Sequence, residues 1–215
     1  MKRRSFMTVA ALGVAFAGTT GAGSMALAQG SGGAPVAPRL RAMLQDLWHG
    51  HIVATRNYAL AVHTGDAAAA DAAQKAEVAN GHDLADAVGS VYGEDAGKGM
   101  FDLLAGHVTG VNALTDATKA GDQAAQDKAM DDLAANGREI AQFLVGANPD
   151  NWTEDALFGA LVAHVGHHKK QIDLIMSNAP QDEQDKEWTA MQGHMDMIAG
   201  VLADGIAAQF PDQVN

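Results

Sequence analysis

Residues 47–88 lie on residues 103–144 without a gap, at an offset of 56 positions. Fourteen of the 42 paired positions are identical. The informative ones are not the alanines but Gly50/Gly106, His51/His107, Gly65-Asp66/Gly121-Asp122, Asp71/Asp127 and Asn80-Gly81/Asn136-Gly137. Self-similarity at such a period marks one supersecondary unit used again. It gives His51 and His107 one structural address, and Asn80 and Asn136 another.

The unit itself is helical. Apolar residues recur at three- and four-residue steps from about residue 39 onward, with no sustained alternation. The pattern predicts six helices over 39–63, 67–91, 97–119, 123–146, 153–177 and 181–209. Asp66 and Asp122 each follow a Gly and suit the cap of the next helix, which accounts for Gly-Asp in both repeats. Asn148-Pro149-Asp150 breaks the chain, Thr153 starts helix five, Pro180 suits the first turn of helix six, and Pro211 stops it. The helices pair as three hairpins closed near residues 65, 121 and 179. The third is a degenerate copy, with His164 on His107 and His194 where Asn136 stands. The expected fold is all-α: an antiparallel bundle of three αα-hairpins, a single domain over residues 39–210.

The first residues read as a targeting segment. Lys2, Arg3 and Arg4 precede a short apolar stretch, and Ala26-Leu27-Ala28 gives an A-x-A cleavage site, so residues 1–28 are expected to be a signal peptide. Arg3-Arg4-Ser5-Phe6-Met7 also resembles a twin-arginine export signal. A Gly/Pro/Ser linker follows over 29–38. Export predicts a periplasmic or secreted protein. There are no cysteines, which excludes disulfides and thiolate metal sites. Without Lys2, Arg3 and Arg4, 11 basic residues face 26 acidic ones, a formal charge of −15. Such a surface repels nucleic acid and anionic lipid and attracts cations.

The helical stripes carry histidine where a core residue is expected. Helix one aligns Leu40, Leu44, Leu47, His51, Tyr58 and Val62; helix three aligns Met100, Leu104, His107, Val111 and Leu114; helix five aligns Leu157, Leu161, His164, His168, Ile172 and Ile175. His51 and His107 stand 14 residues before Gly65 and Gly121, and Asn80 and Asn136 stand 15 after them. His164 and His194 stand 15 on either side of Ala179. Helical rise is the same on both arms, so with aligned turns these six side chains share one cross-section. Asp83 and Glu139, one turn beyond the asparagines, stand where a carboxylate would reach the same layer.

Two readings follow. One is a hydrogen-bonded polar layer that fixes helix register. The other is a divalent metal site for copper, zinc or iron, built from His51, His107, His164 and His194, with Asp83 and Glu139 as ligands or supports. His168 adds an H-x-x-x-H pair with His164. Met191, Met195 and Met197 near His194 read as core filling or soft copper ligands. His49, His63, His82 and His167 fall off the stripes. No nucleophile elbow, phosphate loop or H-E-x-x-H motif is present. An exported binding module for a metal ion or small ligand is the leading expectation. A di-iron-like oxidoreductase and a purely structural envelope protein are the alternatives.

The ordered set LWxxHxxxTR, NxxDLA, YGxxAG, LLxxHV, NxxEIAxFLxxANPxxW and HxDMIAxxLADGIAxQFP, from Leu47 to Pro211, resembles a family of bacterial all-α proteins without an established function. The resemblance implies the fold and no mechanism. Architecture is also similar to that of ferritin-like di-iron bundles, which use Glu and Glu-x-x-His where this chain has His and Asn-x-x-Asp/Glu. His164 and His168 resemble one element of the hemerythrin ladder, without its downstream His-to-Asp spacing. Both are analogies of scaffold.

Overall fold

The computed structural model describes residues 37–212, so the expected signal segment and nearly all of the expected linker lie outside the described residues. Within them are six α-helices and no strand: α1 (Pro38–Thr64), α2 (Ala67–Tyr92), α3 (Glu94–Ala120), α4 (Gln123–Ala147), α5 (Glu154–Met176) and α6 (Gln181–Gln209). Local chemistry sets their ends. Gly65 and Gly121 adopt φ of 75° and 68°, left-handed conformations that close α1 and α3. Asp66 and Asp122 then accept the N–H of Ala69 and Ala125, and Thr153 that of Ala156. Helix α3 starts three residues earlier than its apolar pattern suggests. The break falls at Gly93 (φ 97°), and Glu94 and Asp95 suit the positive end of the helix dipole.

Three hairpins, α1–α2, α3–α4 and α5–α6, form the bundle. Helices α1, α3 and α5 pack against one another, while α2, α4 and α6 lie in the outer grooves between them. The outgoing arms are therefore the inner helices. All three turns meet at one end: Lys119 Nζ donates to the carbonyl of His63, and the His63 ring bonds Asn178 of the third turn. At the other end, buried Asn148 donates to the Gly205 carbonyl and Trp152 lies against α6. A Cβ on Gly205 would collide with the Trp152 ring, which explains the glycine. A second close approach, Gly97 against Gly89, brings α3 onto α2.

The apolar core is divided. One cluster contains Leu44, Met100, Leu104, Ile140, Leu157, Met195 and Ile198; the other, nearer the turns, contains Ala59, Val111, Leu114, Leu133, Ile172 and Ile175. Along α3 and α5 the boundary between them falls at His107 and at His164 and His168. Among the described residues no helix is long and apolar enough to cross a membrane.

Candidate metal centre

Four histidines occupy that boundary. His51 on α1, His107 on α3, and His164 and His168 on α5 are 1–5% exposed. One ligand nitrogen from each lies within 4.8 Å of all the others. The six distances between ring centroids run from 4.4 to 5.7 Å. An ion at 2.0–2.1 Å from a ring nitrogen sits about 3.2 Å from the ring centre, and four rings arranged tetrahedrally around it stand about 5.2 Å apart. Five of the six observed separations, 5.4–5.7 Å, lie close to that figure, and the His164–His168 pair, at 4.4 Å, is closer together.

Hydrogen bonding leaves the cluster incomplete. Nε2 of His51 and of His107 are buried without a partner, as is Nδ1 of His164. Nε2 of His164 and Nε2 of His168 meet at 3.0 Å, one donating to the other. Each unpaired buried polar atom costs about 1–3 kcal/mol, which a leucine at these positions would not. Burial favours the neutral rings. It pushes His51 down to about 3, helped by His107, and His107 down to about 4. Burial, then the neighbouring rings, hold His164 and His168 well below the ordinary imidazole range. Neutral imidazole is the form that binds metal.

The returning arms have a different task from the one their spacing suggests. Asn80 Nδ2 donates to the Leu47 carbonyl at 2.9 Å, Asn136 Nδ2 to Leu103 at 3.0 Å, and His194 Nε2 to Ala160 at 2.9 Å. In each case the acceptor is four residues before the inner histidine, so the same carbonyl accepts that histidine's own helical N–H. The three groups bracket the backbone that carries the site. Gly50 and Gly106 belong to the same device. A Cβ on Gly50 would lie 2.9 Å from Asn80 Nδ2, and one on Gly106 would lie 3.2 Å from Asn136 Nδ2. In the third hairpin Ala163 takes that place and an imidazole replaces the amide.

Three of the expected ligands, His194, Asp83 and Glu139, lie outside the group of four. His194 is half-buried on an outer helix, its centroid 6.4 Å from His164, and is not one of the four converging rings. His168 takes that position, because one turn along an inner helix stays at the axis while equal height on an outer helix does not. Asp83 and Glu139 are exposed. They sit on α2 and α4, where Leu84 and Ile140 take the inward face. Met191 and Met195 are fully buried in the apolar core. Of the off-stripe histidines, His82 is exposed and stacked on Phe101. His49, His63 and His167 are half-buried and paired with Asp196, Asn178 and Glu187.

No family model, curated protein or solved structure matched the chain on comparison.

Proposed function

We propose that this protein binds one divalent transition-metal ion at the bundle axis through His51, His107, His164 and His168, and that it serves to hold metal outside the cytoplasmic membrane. The observation that carries the reading is the set of four buried rings whose donor atoms all lie within 4.8 Å of one another, with unpaired Nε2 atoms on His51 and His107. Four neutral nitrogen donors suit zinc and copper best. Copper(II) has the higher intrinsic affinity, and zinc the closer match to a tetrahedron. A closed set of four ligands, 1–5% exposed, favours retention over turnover.

A di-iron-like oxidoreductase is disfavoured, since its carboxylate ligands would be Asp83 and Glu139 and both face solvent. Placement in the periplasm or outside the cell rests on the basic n-region and the A-x-A site of the sequence. A twin-arginine route, which carries folded chains, suits a metal inserted before export.

The test is a melt and a calorimetric titration of the chelator-stripped protein with Zn2+, Cu2+ and Fe2+. One ion per chain is expected. At a thousandfold excess over Kd, binding adds about 4 kcal/mol to stability. Asp83→Ala with Glu139→Ala should leave the titration unchanged. If no divalent ion binds and none raises Tm, the layer is a hydrogen-bonded structural feature only.

A further inference from the structure

A second polar group is buried without sufficient partners, away from the histidines. Glu77 on α2 is 2% exposed. Asn112 Nδ2 on α3 donates to its Oε2 at 2.8 Å, while Glu77 Oε1 and Asn112 Oδ1 are both buried and unpaired. Among the described residues no basic side chain is paired with Glu77. The two helices enclose a cleft here of about 330 Å³, with Glu77 and Asn112 beside Val78, Phe101, Leu104 and Val108. That volume lies at the lower end of small-molecule sites.

The position does not require a carboxylate. At the offset of 56 residues Glu77 corresponds to Leu133, which is 1% exposed and part of the turn-side core. Tyr58, whose hydroxyl donates to Asp116, likewise corresponds to buried Leu114. An apolar side chain meets the packing demand in the second hairpin, so an ionisable one in the first is a departure that stability does not explain.

We propose that this cleft binds a small organic ammonium ion, whose N–H donors meet Glu77 Oε1 and Asn112 Oδ1 and whose apolar body rests on Val78, Phe101 and Val108. Two adjacent acceptors without a donor select a group that only donates, and an ammonium offers three donors and no acceptor. Its charge also neutralises a carboxylate otherwise buried alone. Burial raises the Glu77 carboxyl to about 7, so the charged form is accessible near neutral pH and a bound cation stabilises it further.

The experiment uses the full chain with benzylammonium as probe and benzyl alcohol as its uncharged counterpart, followed by calorimetry and by NMR. Benzylammonium should bind one per chain, at least about tenfold tighter than benzyl alcohol, as expected of a charge-assisted contact. Glu77→Gln should erase that preference. Ala105→Trp, on the exposed wall of the cleft, should block the probe without touching Glu77, and it decides the matter if Glu77→Gln does not fold. Absence of benzylammonium binding, equal binding of the two probes, or undiminished binding to Ala105→Trp overturns the proposal. Metal titration of both variants should match the wild type, which keeps this cleft separable from the histidine centre.

Discussion

The first two hairpins and the third reach the bundle axis by different means. Hairpins one and two each deliver a single imidazole, His51 and His107, and secure its backbone with an Asn that needs a Gly opposite. Hairpin three delivers two, His164 and His168, and secures the backbone with His194, which donates to the Ala160 carbonyl. The bracket survives the change of side chain because an imidazole N–H and an amide N–H can donate to the same carbonyl. What the third hairpin adds is the fourth nitrogen. Three hairpins like the first two would offer three rings, whereas the third brings a fourth to the cluster. The difference between the third hairpin and the first two is what brings four buried rings together.

Acid gives the largest expected break in that comparison. The buried rings titrate lower in the fold than the value of about 6.5 in an unfolded chain. The unfolded chain therefore takes up more protons, and stability, complete above about pH 6.5, falls as pH drops toward the folded values of about 3 for His51 and about 4 for His107. Each ring contributes a slope of up to about 1.4 kcal/mol per pH unit in that window. Urea unfolding of the metal-free protein between neutral pH and pH 4 should show this decline. Replacing His164 and His168 together by Leu should flatten it about twice as much as replacing His51. A pH-independent midpoint would contradict the burial of the rings.

Metal dependence distinguishes the hairpins next. His164→Ala with His168→Ala removes half the ligand set and should abolish the metal-dependent rise in Tm. His51→Ala leaves three rings and should weaken it without abolishing it. Equal loss from the two would mean that the site is not divided two, one and one among the hairpins.

The brackets come third. Asn80→Ala and Asn136→Ala each remove a bond to a half-buried carbonyl and should destabilise by about 1 kcal/mol. His194→Ala should cost a similar amount and still allow one metal ion to bind. If His194→Ala eliminates binding while folding is retained, His194 is a ligand after all.

Glycine gives the smallest effect. Gly50→Ala would gain helix propensity of up to about 1 kcal/mol, yet its Cβ displaces the Asn80 amide. Little net gain is expected, and a double-mutant cycle with Asn80→Ala should show strong coupling. Gly166→Ala, where a Cβ meets nothing within 4 Å, should stabilise by about 0.5–1 kcal/mol in the same chemical denaturation assay.

Helix positions, hairpin turns and the inward placement of His51, His107 and His164 are legible in the sequence. They follow from local rules: a 3.6-residue period, Gly with positive φ after a helix, and Asp at the next N-cap. Equal rise on both arms also sets Asn80 at the height of His51, although counting cannot say which group it meets. Three things were decided only by the tertiary structure. The outgoing arms became the inner triangle, which leaves Asp83 and Glu139 in solvent and moves His194 off the axis. The fourth ring of the cluster came from His168, already a candidate on the stripe of helix five, and not from His194. Glu77 was left in an unsatisfied cleft that no periodicity reveals. A repeat tells which positions share an address along the helix, but whether that address faces the axis depends on which helices pack innermost, and this is set by contacts between hairpins far apart in the chain.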